Sequence, residues 1–394
     1  MMNITLSRKM AAFQTSIFNE LGAYKKQKIK EGMEVIDLSV GSPDLPPPDY
    51  VMEELTKQAS NPLEYGYAMT GSEELHEAIS YYYKRQYQVD IQSEKEVLIL
   101  KGSQDGLVHL PMILTNPGDI VLVPNPGYTA YEVGISMADA TPYPMPLKAE
   151  NQFLPDLEQI PEDICRQAKM MILNFPGNPV PALATREFYQ KVVAFAKKYN
   201  IVVMHDFAYS ELYYEEKPIS FLSVEGAKDV GVEFNSFSKS FNMAGCRIAY
   251  VMGNSIIINA LKQFQSNVDF GVFTPIQKAA ISALRGTSEF SEHLRAVYKK
   301  RRDILINGLG ELGWKIDVPK ASMFIWAKIP ASYTSKEFTY KLIDEAGIVV
   351  IPGNAFGSEG EGYVRIGLVQ KEDVLVKAVS KLKESNLFSS ISTI

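Results

Sequence analysis

Cysteine is nearly missing from this chain: Cys165 and Cys246 are the two thiols in 394 residues. Two cannot form a disulfide framework, and their scarcity suggests a reducing compartment. The four histidines, at positions 76, 109, 205 and 293, are scattered and make no metal cluster. Long blocks of like charge are also absent. Forty Lys plus Arg against 46 Asp plus Glu leave a net charge of −6, which indicates neither a nucleic-acid face nor an anionic membrane surface. Lys25-Lys26 and the cluster Lys299 to Arg302 read as solvated helix faces. No apolar run approaches a membrane-spanning length, and the N-terminus lacks the charged and apolar regions of a signal peptide, so a cytoplasmic protein is expected. There is no G-x-G-x-x-G turn opening a βαβ unit, as a dinucleotide-binding dehydrogenase would need. Repeats and low-complexity linkers are lacking too.

What remains is an ordinary globular composition, 46% apolar and 22% charged, long enough for two or three domains and a large core. Strand-like runs at 96–101, 119–123, 169–174 and 201–205 alternate with helical patterns such as 185–199. That alternation predicts an α/β fold whose large domain is a mostly parallel sheet sandwiched by helices. From about 286 onward, charged helices (289–312, 335–346, 371–386) alternate with short strands (323–328, 348–351, 363–367), reading as a smaller α/β C-terminal domain. The expected division is an N-terminal arm at 1–48 joining the small domain, a large domain at 49–285 and a small domain at 286–394. Pro111, inside the apolar pattern after residue 103, should kink its helix.

The most informative residue is Lys239, in Ser236-Phe237-Ser238-Lys239 at the end of an apolar strand, eight residues before Arg247. A lysine among hydroxyl residues with a guanidinium nearby suits covalent capture of a carbonyl beside a bound phosphate, which points to pyridoxal phosphate. Upstream, EVLILKGSQDGLVHL at 96–110 is a strand, a glycine turn and a helix start. Unpaired N–H groups and the helix dipole make such a start an anion site, so Gly102, Ser103 and Gln104 would cradle the phosphate with Ser236, Ser238 and Arg247. Strand 201–205 runs into Asp206. Taken alone, an aspartate there is more often a helix N-cap; beside a cofactor lysine it becomes the carboxylate that keeps a pyridine nitrogen protonated.

The segment GVEFNSFSKSFNMAGCRIAYVMGN at 231–254 resembles the lysine signature of the class I/II aminotransferases of the fold-type I pyridoxal phosphate enzymes, with Gly245 and Arg247 in step. The likeness covers nearly the whole chain and is nearest to bacterial aminotransferases of the LL-diaminopimelate and methionine-salvage type. It implies that Tyr128, in PNPGYTAYE, stacks on the cofactor ring and that Tyr209 donates to the ring's phenolic oxygen. Asn178 would contact that oxygen and the substrate carboxylate. Arg365, in GYVRIGL, would bind the α-carboxylate through two parallel hydrogen bonds, with Gly41 of the segment EVIDLSVGSPDLPPP close by. In EYGYAMTGSEEL at 64–75, either Tyr65 or Tyr67 would reach a partner subunit's phosphate, with Tyr67 preferred. Where the family usually has Asn-Pro-Thr-Gly, this chain has Asn178-Pro179-Val180-Pro181. Pro181 cannot take the positive φ that glycine allows, and the Asn178-Pro179 bond is a candidate for the cis form.

The resemblance therefore implies a homodimeric, pyridoxal phosphate-dependent aminotransferase that moves an amino group between an amino acid and a 2-oxo acid by a ping-pong mechanism. Lys239, Asp206 and Tyr209 are its catalytic candidates. Segment 263–278 offers no arginine for a distal carboxylate, which favours a neutral or apolar substrate side chain walled by Phe13, Ile17 and Phe18. Another reaction on the same cofactor, a β-lyase or a decarboxylase, is the main rival. A ligand-sensing regulator would need a DNA-binding module for which the N-terminal arm is too short.

Overall fold

The computed structural model describes residues 2, 4–7, 9, 10, 13, 17–385, 387 and 388. Its centre is a seven-stranded sheet. In spatial order the strands are Val97–Leu100, Ala249–Gly253, Gly231–Ser236, Val202–Asp206, Ala168–Asn174, Ile120–Asn125 and Thr141–Pro146. Only Ala249–Gly253 runs against its two neighbours; every other adjacent pair is parallel. The central strands carry apolar side chains on both faces, Met170 to Leu173 and Val203 to Met204 among them, because helices cover the sheet on each side. Four of the sequence-predicted strands fall here within one or two residues.

The edge strand Thr141–Pro146 was not foreseen. Its prolines at 142, 144 and 146 lie opposite Val121, Val123 and Asn125. Proline has no N–H, so it is tolerated in a sheet where the missing donors would face outward from an edge, and the i, i+2 spacing puts all three on that side.

The covering helices follow local rules. Arg186–Tyr199 buries Phe188, Tyr189, Val192, Val193 and Ala196 along one stripe. Thr185 Oγ1 accepts from Phe188 N at 3.2 Å, and Asn200 ends the helix at φ 56°. The helix Ser103–Leu114 continues through Pro111 without a break, so the expected kink does not interrupt it.

A three-stranded antiparallel sheet, Ile351–Pro352, Tyr363–Gly367 and Phe324–Lys328, forms the second centre. The expected strand at 348–351 is split in two, because Ile348–Val349 instead pairs in parallel with Ile36–Asp37 from the N-terminal segment. Helix Ser335–Ala346 begins with a reciprocal Thr334/Glu337 capping box and stops at Gly347, φ 67°. Helix Ile17–Lys30 packs Leu21 against Val180, Trp326 and Ile343.

Candidate functional site

Five chain segments leave the central sheet on one side and meet there: those after Leu100, Asn125, Asn174, Asp206 and Ser236. A cavity of about 500 Å³ lies outside these carboxyl ends, the place where open parallel sheets bind ligands. Its opposite wall comes from Phe18, Leu21, Ser39, Gly41 and the strand ends near Val349 and Ile351.

Of the four cationic side chains in its lining, Lys25 is paired with Asp37, and Lys239, Arg247 and Arg365 lie on the side of the proposed cofactor and carboxylate. Strand Gly231–Ser236 hands over to the short helix Phe237–Ser240, capped by Ser236 Oγ accepting from Ser238 N at 3.1 Å. That turn presents Lys239, whose Nζ donates to Gly41 O at 2.6 Å. Burial lowers the Lys239 amine to about 8, helped by the like charges of Arg365 and Arg247. Arg365 is fully enclosed and burial brings it down to about 10. Its Nη1 donates to Asn178 Oδ1 and its Nη2 to Ser39 O, both at 2.7 Å, while Nε has no hydrogen-bond partner among the described residues. Arg247, at φ 51°, holds Ala244 O at 3.1 Å. Gly102, φ 86°, precedes helix Ser103–Leu114, and a Cβ there would collide with the Arg247 guanidinium.

Asp206 is the complementary group. It is 4% exposed, and burial raises its carboxyl above the ordinary range. The Tyr131 hydroxyl, the Ala208 N–H and His205 act against that rise. Oδ2 accepts from Tyr131 at 2.9 Å and Oδ1 from Ala208 N at 3.2 Å. A turn follows, so Asp206 caps no helix. Tyr209 packs its ring on Phe324 at 5.7 Å, and burial pushes its hydroxyl far up. Tyr128 donates to Gln104 Oε1 at 3.2 Å.

This donor set fits pyridoxal phosphate. A phosphate would neutralise the helix start and Arg247, a substrate carboxylate would meet Arg365, and a protonated ring nitrogen would satisfy the buried Asp206. The structure brings Ser103, Gln104, Tyr128, Asn178, Asp206, Tyr209, Ser236, Ser238, Lys239, Arg247, Gly41 and Arg365 into the walls of this cavity. It does not bring Tyr67 there: that side chain is 83% exposed, against Phe270 at 4.8 Å. Tyr65 is likewise outside, donating to Ala59 O. Of the three proposed pocket walls, Phe18 lines the cavity, while Phe13 and Ile17 do not.

The loop after Asn178 closes without a glycine. The Asn178-Pro179 bond is cis as expected, Gly177 N donates to Val180 O at 3.1 Å, and Val180 buries against Leu21 and Trp326. Sequence reasoning missed several participants. Tyr131 sits inside a run that was singled out for Tyr128. Asn174, whose Nδ2 donates to Asp206 O at 2.8 Å and whose Oδ1 accepts from Asn178 N at 2.9 Å, ends a foreseen strand. The ion pair Lys25–Asp37 at 2.6 Å in the far wall corrects the reading of Lys25 as part of a solvated helix face, and although Asp37 lies in the segment EVIDLSVGSPDLPPP, no local pattern pairs it with Lys25.

Comparison with known proteins agrees with this geometry. The family model "Aminotransferase class I and II" matches residues 33–382. An LL-diaminopimelate aminotransferase of Aquifex aeolicus is 44% identical over 97% of this chain and 99% of its own length. One from Halothermothrix orenii is 43% identical over 94% and 96%. A substrate-bound BacF structure from Bacillus subtilis superposes with a TM-score of 0.94 at 44% identity, covering 98% of this chain and 99% of that one. By sequence, fold and site alike, the chain belongs to the class I and II aminotransferases, the pyridoxal phosphate-dependent transaminases of fold type I.

Proposed function

We propose a division of labour among the cavity residues of this aminotransferase, carried above all by the buried Lys239 amine between Gly41 O and two arginines. When bound, pyridoxal phosphate supplies an aldehyde that accepts the amino group and a protonated ring that stabilises negative charge at the substrate Cα. Lys239 is the attachment point, and its Nζ, whose proton affinity is lowered by burial and by Arg365 and Arg247, moves the Cα proton. Asp206 holds the proton on the ring nitrogen. Tyr209 and Asn178 bind the phenolic oxygen, and Tyr128 covers the ring. Gly102, Ser103, Gln104, Ser236, Ser238 and Arg247 hold the phosphate. Arg365, braced by Asn178 and Ser39, clamps the α-carboxylate beside Gly41, orienting Cα for proton removal.

Phe18, Leu21, Val349, Ile351 and Phe356 give the cavity an apolar wall, which supports a neutral or apolar substrate side chain. A second reading has its own support: the Lys25–Asp37 pair in the same wall, and relatives named for LL-diaminopimelate, favour a side chain with charged ends. A panel of amino donors, scored by conversion of the bound cofactor from its aldehyde to its amine form, separates them. If LL-diaminopimelate, glutamate or aspartate reacts far faster than methionine, leucine and the aromatic amino acids, the apolar reading is wrong.

The enzyme is further read as a cytoplasmic homodimer. Leu63, Tyr65, Tyr67 and Phe270 are each more than half exposed, with Tyr67 and Phe270 in contact, which supports an interface from which Tyr67 reaches the partner's phosphate. Pairing of Ile36–Asp37 with Ile348–Val349 supports an arm at 1–48 that joins a small domain at 286–394, leaving 49–285 as the cofactor domain.

A further inference from the structure

We infer that Tyr131 is a positioning residue of the transamination site, bonding the Asp206 carboxylate through its hydroxyl and bracing the Tyr128 ring through its own ring. The inference rests on the assignment of Asp206 to the cofactor's ring nitrogen.

Tyr131 opens the helix Ala130–Met137 and is wholly buried in the apolar layer with Leu107, Val121 and Ile172. It is not part of the cavity wall, so it acts through its neighbours. Two contacts define it. The hydroxyl reaches Asp206 Oδ2 at 2.9 Å, and the ring meets Tyr128 at 5.7 Å and 88°, an edge-to-face arrangement. One buried side chain thus touches both the residue under the ring nitrogen and the residue over the ring face.

The hydrogen bond matters because Asp206 is a buried acid that has lost its water. Desolvation favours its neutral form, and a neutral acid would no longer hold a proton on a pyridine nitrogen. The Tyr131 hydroxyl is the largest influence opposing that drift, ahead of the Ala208 N–H and His205. The other ionisable groups facing this carboxylate are Tyr128 and Tyr209, and neither donates a hydrogen bond to it in this structure. Ala208 N remains the second donor. Removing the Tyr131 hydroxyl therefore leaves one hydrogen bond on a buried carboxylate that must stay ionised.

The test uses Tyr131→Phe, Asp206→Ala and the double variant in the full-length protein. Pyridoxal phosphate affinity is measured by absorbance titration of cofactor-free protein, alongside the pH dependence of the bound-cofactor spectrum. Tyr131→Phe keeps the ring and is expected to weaken cofactor binding roughly tenfold, the scale of a hydrogen bond to a charged group. It should also move the spectral pH midpoint and lower kcat, with KM for the amino donor held within about twofold. In the Asp206→Ala background the same change should alter affinity less than about twofold, since the acceptor is gone. Tyr131→His, which can still donate, is expected to recover most of the affinity. Parent-like behaviour of Tyr131→Phe, an equal effect in both backgrounds, or a His variant no better than Phe would each overturn the inference. Parent-like cofactor binding by Asp206→Ala would instead bring down the Asp206 assignment.

Discussion

A single buried amine illustrates how burial sets reactivity here. Lys239 is brought from 10.5 to about 8, first by desolvation and then by Arg365 and Arg247, so a neutral nucleophile is available near physiological pH. The same shift is a stability term. Between about 8 and 10.5 the unfolded cofactor-free chain binds more protons than the folded one, so folding stability rises with pH through that window. Lys239→Met is expected to stabilise the cofactor-free protein by on the order of 3 kcal/mol at pH 7 and by little at pH 10.5; urea midpoints at the two pH values check it. In the loaded enzyme, Lys239→Ala should lower turnover by at least ~1,000-fold, and near-parent turnover would refute its role. Arg365→Lys keeps the charge but loses the planar fork bonded to Asn178 and Ser39. KM for both amino acid and oxo acid is expected to rise about tenfold or more, as steady-state kinetics would read.

At the scale of elements, Asp206, Ser236 and Ser103 come from strand ends or a helix start, Tyr128 and Asn178 from the segments that follow strands, and Arg365 from the middle of Tyr363–Gly367. The anion site depends on Gly102 at φ 86°, where a side chain would enter the space of Arg247. Gly102→Ala should therefore weaken cofactor binding by at least about tenfold while leaving the sheet intact, because both the positive φ and the collision oppose it. Unchanged affinity for pyridoxal phosphate in a titration would contradict this placement of the phosphate. Most elements were legible because they obey simple periods: the stripe of Arg186–Tyr199 and the buried run Val202–Asp206 lie within a residue or two of expectation. Thr141–Pro146 was not, since three prolines in six residues count against a strand unless, as here, the neighbouring strand leaves their outer edge without need of donors. The split at Val350 was hidden for a similar reason: its two halves pair with different strands.

Across the whole molecule, the cavity is made by bringing Gly41, Asn178, Lys239 and Arg365 together from positions as far apart as 41 and 365. The exposed Leu63, Tyr65, Tyr67 and Phe270, the first at 88%, are expected to be buried between two copies. Leu63→Asp combined with Tyr67→Asp should convert a dimer to a monomer in analytical ultracentrifugation and weaken cofactor binding. A double variant that stays dimeric with parent affinity would place the interface elsewhere.

Most of the residues that line the cavity could be picked out from the chain alone, because a lysine flanked by serines, an arginine eight residues on and a strand ending in aspartate are local patterns suited to covalent and phosphate chemistry. Tyr131 under Asp206, the Lys25–Asp37 pair and the Ser39 carbonyl on Arg365 were decided only by the tertiary fold. Such contacts join groups 12 to 326 residues apart. Burial and distance, not local periodicity, determine which of many tyrosines and lysines meets a charge.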